Sequence, residues 1–314
     1  MENKVLIEKI LSLKKEKNAI ILAHFYQIPE IQDIADFVGD SLNLAEQARK
    51  TDADIILFCG VHFMGETAKI LNPKKKVIIP DLEASCSLAE SCPKDDFKRF
   101  KNQYKDHIVI SYINCTADIK TLSDIICTSG NAVQLVNSIP EDQGIIFAPD
   151  KNLGGYINRI TGRDMVLWDG TCEVHELLTA EHVLLMKKDN PDSILIAHPE
   201  CNDAVLQLAD FVGSTSAMIK YAKESPYKKF LVATESGITH KLQNDNPDKE
   251  FIVVTEDESC SCNECKYMKL NTLEKVLNSL ENEEFEIELS DELIESAEKP
   301  IIKMLDMSKE LGII

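Results

Sequence analysis

A block of about 87 residues occurs three times along the 314-residue chain, and this repetition constrains the fold more than any other feature. Each copy opens with an apolar segment that predicts a β-strand, at residues 20–23, 108–111 and 194–197, so the block advances by 88 and then 86 residues. Every copy then shows the same order of strand, helix, short strand, helix, strand, helix, strand. The chain is therefore expected to contain three related units.

A second segment keeps the same register fifteen residues further on. The sequence ADFVGDS at 35–41 corresponds to SDIICTS at 123–129 and to ADFVGST at 209–215. Third and fourth strands are predicted at 55–59 and 77–79, at 145–148 and 165–168, and at 230–233 and 251–254.

Short, continuously apolar strands that alternate with helices are typical of parallel sheets covered on both faces. We therefore predict an α/β fold of three pseudo-symmetric, three-layer αβα lobes around a central site. The predicted boundaries are 1–88 for the first lobe with an N-terminal amphipathic helix, 89–174 for the second, 175–270 for the third and 271–314 for C-terminal helices that pack back on the lobes. Ser290 suits the start of the last helix, and Pro300 is expected to kink or divide it.

The composition narrows the range of partners. A formal net charge of −19 repels phosphate backbones and anionic lipids, so neither nucleic acid nor membrane binding is expected. The sequence contains no run of about 18 apolar residues and no export signal, which favours a cytoplasmic protein. Its ten cysteines are then interpreted as core residues, metal ligands or catalytic groups before disulfides.

Each copy carries cysteine after its last strand: Cys86, then Cys172, then a group formed by Cys260, Cys262 and Cys265. Three lobes around one axis would bring one thiol each to a shared metal site. Three thiolates could bind zinc with an open position, but an all-sulfur site also suits an iron-sulfur cluster. Such a cluster would have one iron without a protein ligand, which could act as a Lewis acid.

Polar side chains follow the first strand of each copy, where ligands gather in parallel sheets. These are His24 in the first copy, Tyr112 and Asn114 in the second, and His198 and Glu200 in the third. Hydroxyls at matched positions after the second strands, Ser41, Ser129 and Thr215, could form a cradle for anions at helix starts or could be ordinary N-caps. We assign structural roles to His62, His107, His182 and His240.

Several motifs together resemble the quinolinate synthase family from residue 19 to about 268. They are AHFY at 23–26, GDS at 39–41, IPDLEASC at 79–86, YIN at 112–114, GTCEVH at 170–175 and HPEC at 198–201. The resemblance implies one 4Fe-4S cluster on Cys86, Cys172 and Cys265, with one open iron. Cys265 is favoured because the stretch CKYMKLN that it begins resembles the family's sequence after its third ligand. Ser259 stands where many members have another cysteine, so a redox disulfide between the extra cysteines is in doubt.

The resemblance also implies a reaction. Iminoaspartate would condense with dihydroxyacetone phosphate to give quinolinate for NAD biosynthesis, with loss of phosphate and two waters, and a nearby aspartate oxidase or dehydrogenase would supply the unstable imine. Glu200, with His198 and Tyr26, would transfer protons. The residues implied as substrate contacts are His24, Ser41, Tyr112, Asn114, Ser129, His198, Glu200 and Thr215.

Three other interpretations remain open from the residues alone. An open-iron cluster also suits a hydro-lyase of another hydroxy acid. The grouped cysteines near 260 would suit a redox sensor without turnover, and a zinc-bound structural protein is the third alternative.

Overall fold

Three four-stranded sheets form the framework of the computed structural model, which describes residues 2–255 and 263–314. Every strand pairing within the sheets is parallel. The first sheet contains β1 (Ala19–His24), β2 (Phe37–Gly39), β3 (Ile55–Cys59) and β4 (Lys76–Ile78). The second contains β5 (Ile108–Tyr112), β6 (Ile125–Cys127), β7 (Ile145–Ala148) and β8 (Val166–Leu167), and the third β9 (Ile194–Ala197), β10 (Phe211–Val212), β11 (Lys229–Ala233) and β12 (Glu250–Val253).

All three sheets have the same strand order: β2-β1-β3-β4, β6-β5-β7-β8 and β10-β9-β11-β12. The register between the two central strands is also the same. Ala23 pairs with Cys59 in the first sheet, Ser111 pairs with Ala148 in the second, and Ala197 pairs with Ala233 in the third. The triplication predicted from the sequence is thereby confirmed, and structural equivalents can be read across the three lobes.

Helices cover the sheets on both faces, as the continuous apolar strands require. In β3, Ile56 and Phe58 belong to one apolar cluster, whereas Ile55, Leu57 and Cys59 belong to another on the opposite face. Described helices are α1 (Glu2–Glu16), α2 (Pro29–Ile34), α3 (Ser41–Lys50), α4 (His62–Leu71), α5 (Ser87–Glu90), α6 (Lys94–Lys101), α7 (Ala117–Thr121), α8 (Ala132–Asn137), α9 (Lys151–Thr161), α10 (Glu173–Glu176), α11 (Ala180–Asp189), α12 (Asp203–Leu206), α13 (Thr215–Glu224), α14 (Ile238–Asp245), α15 (Leu273–Asn282) and α16 (Asp291–Glu310). The α/β class and the three αβα lobes are therefore as predicted.

The C-terminal helices pack back on the lobes, also as predicted. Val276 and Leu280 of α15 share an apolar cluster with Ile10 of α1 and the β1 and β3 strands. Met304 and Leu305 of α16 belong to the largest cluster, which also includes β-strand residues of the first two lobes. The predicted lobe boundaries remain predictions, since this shared core crosses residue 88.

Pro300 does not divide the last helix. Ser290 caps α16 by accepting from the Leu293 N–H, and the helix then continues through Pro300 to Glu310. An interior proline costs a helix about 3 kcal/mol. Here Pro300, Ala297 and Ile301 are all buried, so tertiary packing offsets that cost.

Of the helices in the described ranges, none is long and apolar enough to cross a membrane.

Candidate functional site

A single cavity lies where the central strands of all three lobes end. It is lined by every side chain that the sequence analysis assigned to the site: His24, Tyr26, Ser41, Cys86, Tyr112, Asn114, Ser129, Cys172, His198, Glu200, Thr215 and Cys265. The sequence placed these residues after strands in separate lobes, and the fold brings them together. Their individual roles remain predictions.

The residues that follow β1, β5 and β9 are structural equivalents. With the register above, His24 corresponds to Tyr112 and His198, and Tyr26 corresponds to Asn114 and Glu200. All six contribute to the cavity wall. Because parallel strands point the same way, one pair per lobe reaches the shared space from three sides.

Both histidines of this set are oriented by the backbone two residues further on. The Tyr26 N–H donates to His24 Nδ1 at 3.1 Å, and the Glu200 N–H donates to His198 Nδ1 at 3.4 Å. Each Nδ1 is therefore an acceptor, so the neutral ring carries its proton on Nε2. Burial lowers the pKa of His24 to about 3 and that of His198 to about 4, which keeps both rings neutral at pH 7.

Glu200 contacts three side chains of the cavity wall, and only 3% of its surface is exposed. Its Oε1 accepts from the Tyr112 hydroxyl at 2.5 Å and from Asn114 Nδ2 at 3.4 Å, and its Oε2 lies 3.0 Å from His175 Nδ1. Burial alone would raise the pKa of this carboxyl. The neighbouring His175, His198 and Tyr112 outweigh burial and lower the pKa to about 2, so Glu200 is ionised at neutral pH.

His175 connects Glu200 to the Cys172 thiol and to the Thr234 hydroxyl. No role was predicted for His175 from the sequence. Its Nδ1 also lies 3.2 Å from Cys172 Sγ, and its Nε2 lies 2.9 Å from Thr234 Oγ1. The Thr234 hydroxyl is in turn 2.7 Å from the Tyr26 hydroxyl. One signal was available: Cys172 and His175 are three residues apart, which places both on one side of a helical turn.

The three matched hydroxyls differ in their local structure. Ser41 and Thr215 begin α3 and α13, while the preceding residues, Asp40 and Ser214, provide the N-caps. The alternative that these two hydroxyls are ordinary N-caps is therefore wrong, and both side chains remain available to the cavity.

Ser129, by contrast, was predicted to lie at the start of a helix, and this prediction is wrong. Asn131 Oδ1 accepts from the Thr128 N–H at 2.6 Å and stabilises a turn, so α8 begins only at Ala132. Ser129 still faces the cavity, and its Oγ lies 3.2 Å from His198 Nε2.

Two buried carboxyls follow the third strands and were also missed. Asp150 follows β7 and Glu235 follows β11 at equivalent positions, whereas the first lobe has Val61 there. Burial raises the pKa of both acids. Glu235 lines the cavity, and its carboxyl lies 2.8 Å from Lys269 Nζ. The positive charge of Lys269 limits the rise in the pKa of Glu235.

The predicted metal ligands Cys86, Cys172 and Cys265 are free thiols at the cavity wall. Burial raises the pKa of each, to about 11 for Cys265, so all three thiols are protonated at neutral pH. Cys260 and Cys262 lie outside the described residues.

The three thiols border the cavity together with other donor atoms. Within the described ranges, the donor atoms that all lie within 4.8 Å of one another belong to Cys172, His175 and Glu200, so the three thiols do not form such a group. All three thiols nevertheless border one cavity, as the ligands of a polynuclear cluster would. Three cysteine side chains around one cavity are a donor set that fits an iron-sulfur cluster.

The remaining histidines stay away from the cavity lining, as predicted. His240, for example, pairs with Asp33 at 2.7 Å on the surface.

Three αβα lobes with parallel sheets place an ionised carboxylate, neutral imidazoles and three thiols at one shared edge, an arrangement typical of an α/β enzyme that uses acid–base chemistry. The sequence model for the Quinolinate synthetase A protein matches residues 8–306. The chain belongs to this quinolinate synthase family.

Curated relatives agree with that assignment. The chain is 56% identical to the quinolinate synthase of Nostoc punctiforme over 303 residues, covering 96% of this chain and 94% of the relative. It is 56% identical to the Chloroherpeton thalassium quinolinate synthase, covering 97% and 95%, and 56% identical to that of a Synechocystis species, covering 96% and 95%.

Proposed function

We propose that the chain condenses iminoaspartate with dihydroxyacetone phosphate to form quinolinate, releasing phosphate and two waters, as a 4Fe-4S-dependent transferase of NAD biosynthesis. The observation that carries the proposal is the convergence of Glu200, His198 and Tyr26 with three separate thiols in one cavity. A condensation followed by two dehydrations needs repeated proton transfer at a fixed place, and these groups provide it.

Cys86, Cys172 and Cys265 would hold the cluster, one from each repeat. When bound, the cluster would supply Lewis-acid activation of the substrate. All other steps are assigned to side chains of this chain.

Glu200 is the proposed general base. It is ionised, and its two oxygens are oriented by His175 Nδ1 on one side and by Tyr112 and Asn114 on the other. This network keeps the carboxyl deprotonated, so that it can accept a proton from substrate carbon or nitrogen. The Tyr26 hydroxyl, whose pKa burial raises well above its usual value, stays protonated and is the proposed proton donor, in contact with Thr234.

Neutral donors would bind the two anionic substrates. His24 and His198 each carry an Nε2 hydrogen, and Ser41, Ser129 and Thr215 add hydroxyls around the same cavity. Neutral donors bind phosphate and carboxylate groups by hydrogen bonds. Because they add no positive charge, they would let quinolinate leave after turnover.

The test is the reaction itself. Anaerobically purified, cluster-reconstituted protein is incubated with dihydroxyacetone phosphate and with iminoaspartate generated in place by an aspartate oxidase or dehydrogenase, the supplying partner proposed here. Mass spectrometry is expected to detect quinolinate from the wild type and none from Cys265→Ala. Product from both would keep the reaction and move the third ligand to Cys260 or Cys262.

Absence of quinolinate from fully loaded wild type would overturn the proposal. Dehydration of a hydroxy acid by the same sample would then favour the hydro-lyase. A cluster that changes redox state without any turnover would favour the sensor.

A further inference from the structure

The buried carboxylate of Glu235 gathers three donors from different parts of the third lobe. Its Oε1 accepts from the Cys265 N–H at 3.1 Å and from Lys269 Nζ at 2.8 Å, and its Oε2 accepts from the Gly237 N–H at 2.7 Å. Only 1% of the Glu235 surface is exposed. The backbone that carries Cys265 is therefore anchored to the end of β11 through this one side chain.

Lys269 extends the same contact to the first lobe. Its Nζ donates to the Tyr26 carbonyl oxygen at 2.7 Å while it pairs with Glu235. The far end of Tyr26 is also bound to the third lobe, because its hydroxyl lies 2.7 Å from Thr234 Oγ1, next to Glu235 in sequence. Tyr26 is thus fixed at its backbone and at its phenol by two neighbouring points on the third lobe.

The backbones meet closely at this junction. A Cβ added to Gly237 would lie 2.8 Å from the Tyr26 backbone, so a side chain cannot be accommodated there without a shift. Gln32 Nε2 donates to the Gly237 carbonyl oxygen at 2.9 Å, and Gln27 Nε2 contacts Met268 Sδ at 3.3 Å. The two lobes are joined tightly around the Glu235–Lys269 pair.

The equivalent positions show that this arrangement is peculiar to the third lobe. The first lobe has the apolar Val61, which makes no such contact, and in the second lobe Asp150 Oδ1 caps α9 through the Leu153 N–H. All three cysteines precede a helical turn: Cys86 and Cys172 precede α5 and α10, and the Cys265 carbonyl oxygen accepts from the Lys269 N–H at 3.1 Å. Cys265 differs in that its own N–H also donates to the Glu235 side chain.

We propose that the Glu235–Lys269 pair is a positioning unit that holds the Cys265 backbone and Tyr26 in fixed relation, so that the third metal ligand and the proton donor are set together. The inference rests on the proposed function in that it takes Cys265 as a metal ligand. Glu235 touches no reacting atom in this role. It acts through the residues that it orients.

The test measures how firmly iron is held, apart from catalysis. Reconstituted wild type, Glu235→Gln and Lys269→Met are mixed anaerobically with an iron chelator, and loss of the cluster absorbance is followed with time. Outer contacts of metal ligands typically affect metal affinity or activity by about 10 to 100-fold. Both variants are expected to release iron at least about 10-fold faster and to show a changed electron paramagnetic resonance spectrum of the reduced cluster.

Lys69→Met is the matched control, since Lys69 is also a part-buried lysine, paired with Glu286 at 3.1 Å away from the cavity lining. It is expected to release iron like the wild type. Circular dichroism and thermal unfolding of every sample separate loss of the fold from loss of positioning. The double variant should behave like either single variant, because the pair acts as one unit.

Iron release and spectra equal to those of the wild type in both folded variants would overturn the inference and leave the proposed function in place. A wild type that takes up no cluster would instead count against the proposed function and remove the basis of this one. Faster release in Lys69→Met to the same extent would also contradict it, since the effect would then be general.

Discussion

Glu200 is deeply buried and yet ionised, because neighbouring side chains lower the pKa of its carboxyl more than burial raises it. His175 Nδ1 lies 3.0 Å from Glu200 Oε2, and the Tyr112 hydroxyl donates to Glu200 Oε1. Replacing Glu200 by glutamine keeps the shape but removes the base. We expect Glu200→Gln to lower kcat by about 100-fold or more while the cluster absorbance stays unchanged.

Steady-state kinetics on fully loaded enzyme measure this effect. The matched control is Glu176→Gln, an exposed glutamate of α10 outside the cavity lining, which should keep wild-type kcat. Unchanged turnover in Glu200→Gln would remove Glu200 from the mechanism.

His24 should make the folded protein sensitive to acid. Its pKa is lowered to about 3 in the fold, whereas an unfolded chain titrates near 6.5, so between these values the unfolded state binds more protons. The free energy of unfolding therefore falls as pH drops from 7 to 4. Glu200, with its pKa lowered to about 2, loses its contribution only at still lower pH.

We expect His24→Gln to reduce that decline between pH 7 and pH 4 by at least about 1 kcal/mol, since one pKa unit corresponds to about 1.4 kcal/mol. Urea unfolding of cluster-free, reduced protein at several pH values gives the measurement. His198 has a similarly lowered pKa, so part of the decline should persist. An identical pH dependence in the variant and the wild type would contradict this account of His24.

Among individual residues, those that directly follow strands could be predicted from the sequence, whereas those that hydrogen-bond to them could not. His24, Tyr112, Glu200 and their equivalents could be predicted because the repeat places them at matched strand ends. Thr234 and Glu235 could not be assigned in the same way, because Thr234 contacts Tyr26 and His175, and Glu235 contacts Cys265, all far away in sequence. Thr234, for example, meets Tyr26 across 208 positions.

At the start of α13, two adjacent residues have different roles. Ser214 caps the helix by accepting from the Ala217 N–H at 3.3 Å, and Thr215 faces the cavity. We expect Ser214→Ala to lower the free energy of unfolding by about 1 kcal/mol, as cap removal usually does, with little change in KM.

Thr215→Val should have the opposite effects on the free energy of unfolding and on KM. It preserves volume and removes a hydroxyl proposed to bind an anionic substrate, so KM for one substrate should rise about 10-fold with little change in stability, as loss of one hydrogen bond to a charged group implies. Urea unfolding and steady-state kinetics on both variants give the comparison. A rise in KM in Ser214→Ala equal to that in Thr215→Val would refute this division of tasks.

Two element-level outcomes depend on side-chain packing that no local pattern reports. Pro300 was expected to kink or divide the last helix, and it does not divide it, since the apolar face of the helix is buried against the first two lobes. Ser129 was expected at a helix start, yet the Asn131 side chain forms a turn before α8. Strand positions were more predictable, because an apolar run buried on both faces has few alternatives.

The overall architecture could be predicted from the repeat. Three sheets with the same strand order place equivalent strand ends at three related sheet edges. What the repeat could not predict is the shared apolar core, in which β-strand residues of the first two lobes pack with α16. Such a core joins segments that are distant in sequence. The lobes are thus equivalent in topology but not in their packing.

The central claim is that each lobe provides one thiol to a single cluster. Iron and acid-labile sulfide per chain, measured in anaerobically reconstituted wild type and in Cys86→Ala, Cys172→Ala, Cys265→Ala and the control Cys59→Ala, test it most directly. Cys59 is a buried β3 cysteine in an apolar cluster and should not matter. We predict about four irons and four sulfides in the wild type and in Cys59→Ala, with a marked loss in each of the other three variants. Full loading in any of those three variants, or one zinc and no sulfide in the wild type, would contradict the account.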